Sequence, residues 1–159
     1  MEQKALSRWL KIIIVGIAVC GIGVFAVVIP AMGLSIRSMY PEFENRFWPW
    51  LVFMYLTAMP FLAALWFGWK ITCNIGADRS FSRENGRYLG RIAILAGGDA
   101  AFFFLGNVVL LLMNMSHPGI VILAMIVAFA GGAVSVAAAA LSHLANKAAI
   151  LQEQSDLTI

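Results

Sequence analysis

Charge is scarce in this sequence. Aspartate, glutamate, lysine and arginine together make up 12% of its 159 residues, against 62% hydrophobic types, and mean hydropathy is +0.87. A water-soluble domain of this size could not cover so much apolar surface, so that class is excluded and lipid is the natural solvent. Cysteine is almost missing as well. Cys20 and Cys73 lack CxxC spacing and fall inside or at the edge of apolar stretches, which excludes a disulfide framework and offers no redox or zinc motif. The chain has two histidines, no HExxH pair, no phosphate-binding glycine loop and no nucleophile beside a base. The expectation is a protein that is not an enzyme and uses no cofactor or metal. Met113, Met115 and His117 alternate as soft ligands would, but in so apolar a chain they read as helix-end packing.

What is present is four long stretches nearly free of charge: Ile12 to Ile36, Phe47 to Trp69, Ile92 to Ser116 and Gly119 to Asn146. Each exceeds the ~20 residues needed to cross a bilayer as helix. The expected fold is therefore all-α and integral to the membrane, a single domain over 1–159. It has four transmembrane helices, about 12–34, 48–71, 88–113 and 119–143, in an antiparallel bundle. The first stretch is too long for a signal peptide and three more follow it, so it is expected to remain in the protein. Gly16, Cys20, Gly21 and Gly23 in the first span, and Ala128, Gly132, Ser135 and Ala139 in the fourth, permit close helix approach, within one chain or in a homo-oligomer. Pro30 is expected to end or kink the first span and Pro60 to bend the second. Tyr40, Trp48 and Trp50 read as aromatics at the membrane boundary.

The basic residues are unevenly placed. Lys4, Arg8, Lys11, Lys70, Arg79, Arg83, Arg87, Arg91 and Lys147 flank one side of the four spans, which leaves Arg37 and Arg46 for the other. The positive-inside rule then predicts both ends and the central connection in the cytoplasm, N-in and C-in. Within that connection Arg79, Arg83, Arg87 and Arg91 recur every four residues, so on a helix they form a ridge of mutually repelling charges. Anionic lipid headgroups would offset that repulsion by about 1 kcal/mol for each basic residue near the surface, and an acidic cytosolic partner would do so as well. Direct nucleic-acid binding is not expected, because no recognition helix stands free of the membrane. Ser82 reads as the N-cap of the third helix, with Asn85 an imperfect capping-box partner.

Beyond the ridge one acid is isolated. Asp99 lies about 18 Å along a helix from Arg87, near the middle of the hydrocarbon layer. Exposure to lipid there costs ~2.5–3.5 kcal/mol, so its side chain is expected to face the bundle interior or another subunit. Thr57 and Ser135 fall at similar depth, and the three are expected to form a polar cluster, either as a structural contact or as a proton- or cation-responsive group.

The order of spans, the segment FSRENGRYLGRI at 81–92 and the ending LQEQSDLTI at 151–159 resemble the YoaS-like family, small bacterial membrane proteins classed as a domain of unknown function. The family-like positions are Phe81, Ser82, Leu89, Ile92, Asp156, Leu157 and Thr158. Asp99 is not part of the pattern. The resemblance implies a multi-pass protein of the bacterial inner membrane, often encoded beside a small Cro/CI-type helix-turn-helix regulator. From it follows the expectation of a membrane sensor or regulatory subunit with that regulator as partner. The alternative is a small oligomeric transporter, channel or immunity-type membrane protein.

Overall fold

In lipid no water satisfies the backbone, and an apolar run meets its own hydrogen bonds most simply as helix. The computed structural model describes residues 3–39 and 45–156. It comprises α1 (Gln3–Gly23), a π-helical stretch (Val24–Val28), α2 (Ile29–Met39), α3 (Phe47–Gly76), α4 (Arg83–Leu112) and α5 (Pro118–Asp156). Because α1, the π stretch and α2 run on as one helix, four helices are long and apolar enough to cross a membrane. The all-α, four-span reading therefore holds, with no strand among the described residues. Tyr40, Leu157 and Thr158 lie outside those residues, while Asp156 closes α5.

Pro30 does not end the first span. Its ring crowds the carbonyl four residues back and it has no N–H to donate, which normally breaks a helix. Here the preceding turn is widened to π geometry, with Ile29 N–H bonding to Val24 O, and the helix continues to Met39. A π turn displaces the carbonyls that proline would otherwise strike. Pro60 stays inside α3, and Pro49 occupies its first turn, where no donor is needed.

Two turns close in the same way. Past the end of α3, Arg79 N–H bonds to Asn74 O at 2.9 Å and Asp78 N–H to Ile75 O at 3.1 Å. Past α4, Met115 N–H bonds to Leu110 O at 2.8 Å and Asn114 N–H to Leu111 O at 2.9 Å. Both are Schellman closures whose left-handed residue is Asp78 (φ 60°) or Asn114 (φ 54°) rather than glycine. The helix α5 then starts with Pro118 in its first position, and His117 Nδ1 accepts the Gly119 N–H at 3.1 Å.

Spans pack on their neighbours in sequence: α1 and α2 on α3, α3 on α4, and α4 on α5 most extensively. Among the described residues no close backbone approach joins α1 to α4 or α5, so the antiparallel bundle is open along one side. The α4–α5 seam is built from small residues. Gly86 faces Asn146, Gly90 faces Ser142, Gly97 faces Ser135 and Ala100 faces Gly131. Steps of three, four and seven residues keep each helix presenting one face to the other. Ala124, Ala138, Ala145 and Ala149 are buried along the same stripe of α5. Of the small residues expected to form the fourth span's contact face, Ser135 packs, but Gly132 meets open space and Ala139 is exposed. Their spacing was that of a contact face, but turned off the buried stripe. In the first span Gly21 lies under the Phe61 ring, while Gly16 and Gly23 face nothing.

Candidate functional site

Of the buried polar residues, Ser7, Thr72, Asn74 and Asn85 gather where α1 begins, α3 ends, α4 begins and α5 ends. Chain geometry places them there: each helix overruns its apolar window on this side, and the overhanging turns need polar partners. Ser7, 4% exposed, donates its Oγ hydrogen to Thr72 O at 2.7 Å and occupies the space left by the missing side chain of Gly76. Ser142 Oγ donates to Gly86 O at 2.6 Å.

Asn85 is the centre of this layer and is 1% exposed. Ser82 caps α4 as expected, accepting the Asn85 N–H at 3.2 Å. The Asn85 side chain does not complete a capping box. Its Nδ2 donates to Arg79 O at 3.2 Å and Ser80 O at 3.0 Å, and its Oδ1 accepts from Asn74 Nδ2 at 2.8 Å. One buried amide thereby ties the end of α3, the turn and the start of α4 together. The turn is held to α1 by Ser80 Oγ, which donates to Gln3 Oε1 at 2.7 Å. Arg83 ties α4 to α5 through a 2.6 Å ion pair with Glu153. Between these ties a cleft of about 420 Å³ opens, lined by Gln3, Arg79, Phe81, Arg83, Gln152 and Glu153. Phe81 is 64% exposed at its edge.

The predicted arginine ridge is divided. Arg79 precedes α4 and lies in the turn, so only Arg83, Arg87 and Arg91 are helical. Steps of four residues advance about 40° beyond each full turn, so these three fan out rather than align. Arg83 turns to Glu153 on α5, whereas Arg91 lies over the Phe67 ring of α3 at 5.3 Å. Of the other family-like positions on α4, Leu89 and Ile92 are half-buried.

Asp99, Thr57 and Ser135 do not form a hydrogen-bonded cluster. Each hydroxyl donates to a backbone carbonyl, Thr57 to Met54 O at 2.7 Å and Ser135 to Ala93 O at 2.7 Å. The Thr57 bond is the local one a helical threonine makes to its own preceding turn, whereas Ser135 reaches across the α4–α5 seam to a carbonyl of the helix that carries Asp99. Asp99 Oδ1 is buried without a partner. No group of three potential metal-binding His, Cys, Asp or Glu side chains occurs among the described residues. At the opposite end a second cleft, about 500 Å³, is lined by Arg37, Arg46, Phe47, Trp50, Met115 and His117. Arg46 also donates to Asn114 O there.

Sequence reasoning missed Ser7, Asn74, Asn85 as a hub, Ser142 and Asn146. A signal was available: all five lie within a few turns of an apolar window's edge, on the side where lysine and arginine concentrate.

The sequence family described as "Protein of unknown function (DUF2975)" matches residues 32–159. The chain is also similar to the uncharacterized membrane protein YoaS of Bacillus subtilis (strain 168), 26% identical over 152 residues that cover 94% of each chain. No solved structure matches.

Proposed function

This chain belongs to the DUF2975 family, and from that premise we propose that it is a regulatory subunit of the bacterial inner membrane. Its polar layer faces the cytoplasm and docks a small helix-turn-helix regulator. The cytoplasmic orientation rests on the bias of lysine and arginine. One observation carries the docking reading: the cleft lined by Arg79, Arg83 and the exposed Phe81 is formed by three separate helix ends. A surface assembled from α1, the α3–α4 turn and α5 changes shape whenever those helices move relative to one another. A lipid or apolar ligand that favours one arrangement would therefore shift how much regulator is held away from DNA. The test is co-purification in mild detergent from cells expressing both proteins. The regulator is expected to accompany the wild-type chain and to be lost with Arg79→Glu/Phe81→Ala. Arg83→Ala should leave the unfolding midpoint nearly unchanged, because an ion pair this exposed contributes less than about 1 kcal/mol. Regulator distribution that is identical with and without the membrane protein would end this reading.

A second reading, a small oligomeric transporter or channel, is favoured by the unpartnered Oδ1 of Asp99 at mid-depth. Proteoliposome flux that disappears with Asp99→Asn would support it. Flux equal to that of empty liposomes would remove it.

A further inference from the structure

Just below the polar layer lies a band of cations in a different setting. Lys70 Nζ is 5.3 Å from the centre of the Trp66 ring. Arg91 is 5.3 Å from the centre of Phe67, and Tyr88 stacks on that same ring at 5.7 Å. On α1, Lys11 Nζ is 5.5 Å from the Trp69 ring, so the band extends across three helices. Arg87 is exposed one turn from Arg91. Among the described residues Lys70, Arg87 and Arg91 have no ion pair. Glu84, the carboxylate nearest to them along α4, is already engaged: Oε1 accepts from Tyr88 Oη at 2.6 Å and Oε2 from Asn74 Nδ2 at 3.3 Å.

An aromatic ring shields one side of a cation from water and leaves its remaining N–H donors pointing outward. Lys70, Arg87 and Arg91 set three positive charges against the single carboxylate of Glu84, an excess that an added anion would relieve. The anion's nature follows from the adjacent surface. On the mid-membrane side of the band, α3 and α4 present Leu62 (49% exposed), Trp66 (61%) and Ile94 (77%), which calls for acyl chain rather than water. The distance along α3 from Trp50 to Trp69, about 30 Å, matches the hydrocarbon thickness and places the band at the headgroup level.

We infer that the α3–α4 groove at this level is a binding site for an anionic phospholipid, with Lys70, Arg87 and Arg91 holding its phosphate and the Trp66–Ile94 face lying along its chains. The site uses none of the cleft residues, so it stands apart from the docking reading above.

Purified full-length protein in a nonionic detergent provides the test, with tryptophan fluorescence following thermal unfolding during titration with phosphatidylglycerol, phosphatidylcholine or inorganic phosphate. Phosphatidylglycerol is expected to raise the midpoint at concentrations where the other two do not. Lys70→Gln/Arg91→Gln is expected to weaken that effect roughly twenty-five-fold, about fivefold for each cation lost, and Lys147→Gln to leave it intact. If the double variant does not fold, Arg87→Gln alone should show a loss of about fivefold, and Lys70→Arg/Arg91→Lys should retain the effect. Equal protection by phosphatidylcholine, equal protection by inorganic phosphate, or folded glutamine variants of the three cations within twofold of wild type would each overturn the inference.

Discussion

At the scale of single residues the molecule turns on Asn85. Its side chain meets two carbonyls and one amide in a place closed to water, and a buried polar group deprived of its partner costs about 1–3 kcal/mol. Asn85→Ala is therefore expected to lower the stability of the detergent-solubilised protein by about 3 kcal/mol or more, read from its unfolding curve. Asn85→Asp should fare no better, since it would replace the two donors facing Arg79 O and Ser80 O with an acceptor. The sequence pattern suggested a cap at this position and was right about Ser82. It misread Asn85, because capping rules look three residues along the chain whereas Asn74 reaches it from the preceding helix. Asp99 teaches the same lesson in reverse. Its depth could be counted along a helix, but the hydroxyls expected to meet it had carbonyls of their own to satisfy.

At the scale of elements, the α4–α5 seam is where substitution should discriminate most sharply. A methyl group added at Gly131 would come within 2.9 Å of the Ala100 Cβ, which has no rotamer to move to, and overpacking of this kind costs about 1–3 kcal/mol. At Gly132 the same methyl meets nothing and brings the better helix propensity of alanine. Gly131→Ala is expected to destabilise and Gly132→Ala to be neutral or mildly stabilising, compared side by side in the same detergent. Composition showed that small residues would line the fourth span. It could not choose between adjacent stripes, because in lipid both faces of a helix are apolar and the usual contrast of core and surface is gone. The arginines illustrate a related limit: a repeat of four reads as a ridge on paper, yet over Arg83 to Arg91 the excess rotation sends one end to α5 and the other to α3. Pro30 is a third case, since nothing local announces the π turn that accommodates it.

At the scale of the whole molecule, the count and class of helices were legible from the start, because apolar runs of that length leave lipid-embedded backbone little alternative. Which helices touch was not legible. The open side makes a direct prediction in a Cys20→Ser/Cys73→Ser background. A Cβ on Gly97 would lie 3.4 Å from the Ser135 Cβ, close to disulfide geometry, so Gly97→Cys/Ser135→Cys should cross-link within one chain on oxidation. Val19→Cys/Val136→Cys, exposed on α1 and α5, should give no intramolecular bridge by gel mobility. Efficient internal bridging of that second pair would mean that the bundle closes into a ring.

The length of α5 has a mechanical consequence. Its 39 residues run unbroken from Pro118 to Asp156, a rod of about 58 Å standing in a hydrocarbon layer of roughly 30 Å. Helices longer than the bilayer lean to match its thickness. A lean of about 5° pivoting near Ser135 would sweep Glu153 sideways by roughly 2 Å, enough to part the 2.6 Å contact with Arg83. Taken relative to α4, such a lean would make the fourth helix a lever, converting a small change in bilayer thickness into the breaking or making of a single surface bond.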